Sequence, residues 1–176
     1  WYYGQQKRFL SSVSSQYNRK HRLFDEFNNV ASFQAFKESR HSKRFGSAIS
    51  ERFENVLVFG NTTDFVKKIG YGSFNYGLDF QNNLVESTAN QGTTTRYADG
   101  GSVMQLLSVY GQYKIPYGTA SNYLSTGLRY NYSEIQAKFE DITTYSLPFN
   151  AIDVKNQALT ASLGWQTAIN KSPEPG

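Results

Sequence analysis

Residues 103–133, VMQLLSVYGQYKIPYGTASNYLSTGLRYNYS, decide how the rest of the chain is read. They divide into two runs joined by a turn at Pro116, Tyr117, Gly118 and Thr119. In the first run Val103, Leu107, Val109, Tyr113 and Ile115 fall on one face. Ser108, Gln112 and Lys114 fall on the other, with Met104, Leu106 and Tyr110 among them. In the second run Leu124, Leu128, Tyr130 and Tyr132 alternate with Ser125, Gly127, Arg129, Asn131 and Ser133. A side-chain period of two is what an extended strand imposes. A soluble sheet accounts for one apolar face. It accounts less well for the length of the runs, the aromatics near the turn and the small polar residues opposite. Those three features together mark a membrane-spanning barrel strand, with apolar side chains to lipid and polar ones to a wet lumen.

Composition agrees with extended structure. The 176 residues suffice for one sizeable domain. Aromatics make up 16% of them, with 13 Tyr and 13 Phe, and such side chains fit a pleated surface better than a helix. There is no Cys, which excludes a disulfide scaffold and a thiolate metal site. The longest apolar runs, such as Val56 to Phe59, fall far short of the roughly 18 residues of a membrane helix. Any crossing of a bilayer is therefore by strands. The net charge is +4, and the cations cluster at Lys7–Arg8, at Arg19, Lys20, His21 and Arg22, and at Arg40, His41, Lys43 and Arg44. Basic clusters among aromatics can carry phosphate contacts. The second and third clusters fall in expected turns or loops, where charges are usually solvated, and no nucleic-acid partner is expected. Trp1 opens without a basic n-region or an apolar h-region, so the chain reads as mature or as a piece of something longer.

The same period places seven strands along the chain. The first covers residues 5–17, with Phe9, Val13 and Tyr17 on one face. The second covers 26–40, where Phe27, Ala31, Phe33 and Ala35 share a side; Phe27, Val30, Ala31, Gln34, Ala35 and Glu38 also fit a helix. The third and fourth cover 52–66 and 71–86, the latter with Phe74, Tyr76, Leu78 and Phe80 opposite Ser73, Asn75, Gly77, Asp79 and Gln81. The hairpin supplies the fifth and sixth, and 156–169 the seventh, ahead of a KSPEPG turn. The loops are expected at 41–51, 87–102 and about 139–155, so that short and long connections alternate strictly. In an outer-membrane barrel the short ones are periplasmic and the long ones outside. Tyr17, Phe65, Tyr71, Tyr113, Tyr117, Tyr123 and Trp165 gather at the short-turn ends, as an interfacial girdle requires. The fold class is thus all-β, an antiparallel up-and-down meander of about seven strands, part of a large transmembrane β-barrel.

Specific runs carry a family resemblance. They are Trp1-Tyr2-Tyr3-Gly4-Gln5-Gln6-Lys7-Arg8, Phe33-Gln34 with Glu38-Ser39-Arg40-His41 and Arg44-Phe45-Gly46, and Tyr76-Gly77-Leu78. Further along stand Thr95-Arg96-Tyr97 with Asp99-Gly100, Gly127-Leu128-Arg129-Tyr130-Asn131, and Ala158-Leu159-Thr160-Ala161-Ser162-Leu163-Gly164. In order and spacing the chain resembles the barrel of TonB-dependent outer-membrane receptors of the Bacteroidota type, which include haem, cobalamin and siderophore transporters. The resemblance implies a barrel of about 22 strands with a plugged lumen. It implies a bacterial outer-membrane location, contact with outer-membrane lipid, a small solute of the haem, cobalamin or siderophore class, and a TonB-type energy-coupling complex acting through a plug. No plug domain, energy-coupling box or terminal strand ending in an aromatic is recognisable, so residues 1–176 are expected to be a single segment of barrel wall. Seven strands leave two edges for further strands, since open edges do not occur in hydrocarbon.

The chemistry of individual residues fits a wall rather than an enzyme. His21 lies in a basic turn and His41 in a loop beside Ser42. Neither forms a recognisable triad or metal set, so no catalytic residue, metal site or cofactor is expected. His41 as a haem ligand follows only from the resemblance; the plain alternative is a solvated loop histidine. Asp79, Gln112, Arg129 and Asn131, with Arg8, Gln16, Asn75, Gln81 and Lys114, are expected to line the lumen, either touching a plug or solute or supplying ordinary lumen polarity. Arg96, Tyr97 and Asp99 are the candidate substrate-binding residues of an outer loop, although Asp99-Gly100 also suits a turn. Two other classes remain open from sequence: a soluble β-sandwich or barrel binding a glycan or small ligand, and a nucleic-acid-binding β domain.

Overall fold

The computed structural model describes residues 1–90, 92–118, 122–142 and 146–167. Eight strands form one antiparallel sheet: β1 (Tyr2–Tyr3), β2 (Gln6–Asn18), β3 (Glu26–Ser42), β4 (Ser50–Ile69), β5 (Gly72–Ala89), β6 (Ser102–Pro116), β7 (Tyr123–Lys138) and β8 (Ala151–Gln166). From β2 onward each strand pairs with the next in sequence. β1 also pairs with β3, and it does so in the register of β2: Tyr3 lies opposite His41 and Gln6 opposite Glu38. No residue is gained or lost across Gly4–Gln5, so the first of the seven expected strands is present but interrupted. The interruption goes with a close cross-strand approach. The Ser39 carbonyl stands where a Cβ on residue 4 would be, while Gln5 N–H donates to Ser39 Oγ (3.2 Å).

Residues 26–42 are strand throughout, which removes the helical alternative. Its Asn28–Asn29 pair and Val30 are mediocre helix formers, and every residue from Glu26 to Ser42 finds a partner on β4. Several boundaries move outward. β4 starts at Ser50, β5 ends at Ala89 and β8 starts at Ala151, so residues 151–155 belong to a strand and not to the preceding loop. The expected strict alternation of connection lengths fails in its first half. Segments 19–25 and 43–49 are both seven residues long, because His41 and Ser42 continue to pair with Glu51 and Ser50. The later connections do alternate, with two residues between β4 and β5, twelve between β5 and β6, six between β6 and β7, and twelve between β7 and β8. Thr119 of the hairpin turn, residues 168–169 of the seventh strand and the KSPEPG end lie outside the described residues.

Cross-strand partners share a face, so the register sorts every side chain. Phe9, Phe33, Leu57, Leu78, Val109, Leu128 and Leu163 fall on one face. Asp79, Gln112, Arg129, Asn131 and Gln166 fall on the other. The first face holds most of the exposed large apolar side chains, with Leu128 at 59% and Leu163 at 88% exposure, and the second holds the buried Glu54, Ser87, Ser108 and Ser125. The apolar face is therefore the convex one. The concave face is mixed, since Leu10, Phe36, Val56, Val58 and Leu106 also stand on it.

Among the described residues this sheet has no second layer. Among the described residues the only buried hydrophobic one is Ala98. The chain exposes 12796 Å², where a compact protein of its mass exposes about 8,700 Å². The convex apolar band is oblique to the strands. Counted from the short-turn end, its first charged or amide side chain is Lys7 on β2 and Gln157 on β8. Followed through the paired residues, Gln157 aligns with Val13, six residues from Lys7 across six strand steps. With about 3.3 Å per residue and about 4.8 Å per strand, that slope is about 35°, the tilt of strands in a membrane barrel. One polar cluster interrupts the band. Asn29 Nδ2 reaches Asn61 Oδ1 (3.2 Å), Thr63 Oγ1 (2.7 Å) and the Thr62 carbonyl (3.2 Å), and Thr63 Oγ1 donates to Asn61 Oδ1 (3.1 Å), so the Asn29 amide nitrogen and the Thr63 hydroxyl find partners within the wall.

Candidate functional site

The loop between β5 and β6 folds back over the concave face. Asn90 anchors its start, accepting from Glu51 N–H (2.9 Å) and donating to the Ile49 carbonyl (2.7 Å). Arg52 Nε donates to the Thr94 carbonyl (2.7 Å). These ties bring Arg96 and Tyr97 together, with the guanidinium 5.6 Å from the ring centroid. Arg96 Nη1 lies 3.9 Å from Glu54 Oε2. Glu54 is 4% exposed, and its Oε1 has no hydrogen-bond partner, nor has Oγ of Ser87 opposite it. Beneath the loop is a cavity of about 270 Å³. Phe36, Val56 and Val58 form its floor, Arg8 and Gln34 one wall, and Arg96 and Tyr97 the cover. Arg8 Nη2 donates to Gln34 Oε1 (3.1 Å). Glu38 and Glu54 also line it, so two carboxylates stand beside the two guanidiniums, and the apolar floor and aromatic cover suit a solute with an apolar body and a polar edge. A larger cavity of about 730 Å³ lies elsewhere, among Leu57, Leu84, Gly101 and Asp153, and shares none of these groups.

Asp99 does not join Arg96 and Tyr97. Its carboxylate accepts from Glu140 N–H (2.9 Å) and Asp141 N–H (2.8 Å), tying this loop to the one between β7 and β8. Partial burial pushes the carboxyl's pKa up, but the two backbone donors outweigh it and hold it below the usual carboxylate range. Backbone bonds from Gly100 N–H to the Lys138 carbonyl (2.9 Å) and from Lys138 N–H to the Gly101 carbonyl (3.0 Å) complete the tie.

Nearer the short turns, the concave face carries a connected polar ladder. Arg129 Nη2 donates to Asp79 Oδ2 (2.7 Å) and Nε to Asn131 Oδ1 (2.9 Å), which also accepts from Ser108 Oγ (2.9 Å). The guanidinium sits 5.6 Å from the Tyr110 ring centroid, and the Tyr110 hydroxyl donates to Asp64. Asp79, Arg129 and Asn131 thus meet; Gln112 shares their face opposite Gly127. Sequence reasoning placed Tyr110 on the polar face without a partner and passed over Asp64 and Glu54. Parity puts all three on the concave face, but their partners are long-range and carry no local signal. His41 lies on the convex face, Nδ1 3.0 Å from Glu51 Oε1, and His21 Nδ1 accepts from Leu23 N–H. No group of three or more His, Cys, Asp or Glu placed to hold a metal occurs among the described residues.

No family model and no curated protein matches the sequence. Solved structures do match in fold. The copper transporter OprC aligns with a TM-score of 0.74 at 11% identity, covering 97% of this chain and 29% of that one. The ferric citrate transporter FecA in its unliganded form aligns with a TM-score of 0.62 at 18% identity, covering 92% of this chain and 25% of that one. The chain therefore has the fold of a wall segment from such transporters and spans between a quarter and a third of their length.

Proposed function

We propose that this chain is a stretch of the wall of a bacterial outer-membrane transport barrel that imports a scarce solute, energised by a TonB-type complex acting through a plug. The observation that carries the reading is the convex apolar band with its slope of about 35°. A single-layer sheet with that band and no core of its own needs lipid on one side and further barrel strands at both edges. Polar groups on the concave side then face a wet lumen, and the loops of twelve residues face outside.

The solute is a small, metal-bearing molecule in the range spanned by siderophores, haem and cobalamin, and Arg96 and Tyr97 meet it at the outer mouth. The cavity beneath the loop, with its apolar floor of Phe36, Val56 and Val58 and the polar edge of Arg8, Arg96, Glu38 and Glu54, supports this. In this reading the chain supplies a wall and capture loops, and no bond-making chemistry. The test is binding to whole cells of a ferric siderophore, haem and cobalamin in turn, by the complete receptor and its Arg96→Ala/Tyr97→Ala variant. Substitution is cleaner than deletion, because residues 90 and 99 hold the loop in place. Weaker capture of one of them with unchanged heat-modifiable barrel is expected. Unchanged capture of all three would remove these residues from the site.

A further inference from the structure

Asn29, Asn61 and Asn82 stand on the convex face of β3, β4 and β5, within the apolar band. Asn61 lies two residues outward of Thr63, the partner of Asn29, and Asn82 lies two residues outward of Phe80, the partner of Asn61. Each step is thus two residues along a strand and one strand across, a line at about 36° to the strands. The strands themselves tilt about 35° from the normal of the band, and the line leans in the same sense, toward β8 on the outer side. The three asparagines therefore form a seam parallel to the membrane normal, about 16 Å long. Asn61 sits about 11 Å below the boundary drawn from Lys7 to Gln157, close to the middle of a band about 25 Å tall.

Their amides are incompletely paired. Asn82 makes no side-chain hydrogen bond among the described residues, and its enclosed Oδ1 has no partner. Asn29 donates through Nδ2 and Asn61 accepts through Oδ1, which leaves Asn29 Oδ1 and Asn61 Nδ2 without partners among the described residues. All three side chains are partly exposed, and acyl chains offer them neither donor nor acceptor. The rest of the convex face carries no such line. There β7 presents Leu124, Thr126, Leu128 and Tyr130, and β8 presents Leu159, Ala161, Leu163 and Trp165.

We propose that the seam is the contact line of a symmetric dimer formed by two copies of the complete barrel. Two barrels inserted the same way are related by a rotation about the membrane normal, and their convex walls meet along a line parallel to it. The twofold axis then sets each asparagine against its own copy at equal depth. An amide carries both donor and acceptor, so it pairs with a copy of itself. Ser15 opposite Asn29 and Ala31 opposite Asn61 are small enough to let the walls approach closely. The Phe59 and Phe80 rings, 6.2 Å apart, flank the seam between Asn61 and Asn82 and pack against the facing wall. The inference rests on the outer-membrane reading above, which supplies the hydrocarbon around the seam.

The experiment counts copies of the complete barrel, one dye on each, by single-molecule photobleaching in liposomes at falling protein-to-lipid ratio. Two-step bleaching that persists on dilution is expected. Asn29→Leu/Asn61→Leu/Asn82→Leu replaces each amide by an apolar group of similar shape. A side-chain hydrogen bond between chains in a membrane is worth about threefold, so losing three is expected to weaken the dimer about thirtyfold. In a barrel freed of any other cysteine, Asn61→Cys is expected to form a disulfide with its own copy. Val109→Cys, at the same depth but two strands from the seam, is expected to form none. One-step bleaching of the wild type overturns the proposal, whether the seam then faces lipid or a different protein. So does a leucine variant that dimerises as the wild type does, or a disulfide at 109 as fast as that at 61. Heat-modifiability is scored on every sample: its absence from the wild type defeats the outer-membrane reading itself, whereas its presence with one-step bleaching defeats only the dimer.

Discussion

Tyr110 lies across Gly77. The two are cross-strand partners on β5 and β6, and the phenol reaches over the glycine to donate to Asp64 on β4. A Cβ on residue 77 would come within 2.7 Å of the Tyr110 hydroxyl oxygen and would also overlap the Thr63 carbonyl. One side chain thus covers three strands at the place where the middle one offers no side chain.

Gly77→Ala is therefore expected to destabilise the barrel by about 1–3 kcal/mol, the usual cost of overpacking, because backbone as well as a ring must move. Tyr110→Phe keeps the ring over the glycine and loses only the bond to Asp64, at about 1 kcal/mol. Urea unfolding of the complete barrel in lipid separates the two. Equal losses would mean that the hydroxyl, and not the space over Gly77, is what matters.

The faces make a larger contrast. Leu128 lies midway along the uncharged convex positions of β7, Leu124, Thr126, Leu128, Tyr130 and Tyr132. Leu128→Arg is expected to cost about 2–4 kcal/mol in a bilayer. Asn131→Gln, on the concave side, is expected to cost much less. Similar costs in reconstituted unfolding would contradict the face assignment.

Arg129 and Asp79 are a close pair, but their side chains are 41% and 31% exposed. A double-mutant cycle with Arg129→Gln and Asp79→Asn is expected to give a coupling of about 0.2–1 kcal/mol. A coupling several times larger would mean that the lumen around them excludes water.

How much of this was legible in the sequence depends on the range of each interaction. Period two placed Leu78, Val109, Leu128 and Leu163 on one face and Asp79, Gln112, Arg129 and Gln166 on the other, because alternation is local and the register preserves it. The break at Gly4–Gln5 was not legible. Tyr3, Gln5 and Lys7 keep their parity through it, and its cause is a carbonyl 35 residues away, on Ser39. Nor could spacing separate Asp99 from Arg96 and Tyr97, since its partners Glu140 and Asp141 come from another loop.

That loop tie titrates. Because the folded carboxyl of Asp99 has its pKa held below the ordinary value of about 3.9, the tie is fully present above that value and is lost as pH falls through the lower, folded one. Protease cleavage within 92–98 should accelerate in wild type only below about pH 4. In Asp99→Ala it should be fast already at neutral pH. A wild-type profile flat to strong acid would show that the backbone bonds alone hold the loops.

The most direct test is the environment of β7, residue by residue. These 176 residues contain no cysteine, and in a complete barrel freed of any other cysteine a spin label is placed singly at each position from 124 to 132 in liposomes. Collision with oxygen reports lipid, and collision with a water-soluble nickel complex reports the aqueous lumen. Positions 124, 126, 128, 130 and 132 are expected to favour oxygen, with the deepest value near 128, and the odd positions between them to favour nickel. Nickel access at every position, or no alternation between odd and even, would contradict a wall with lipid on one side and water on the other.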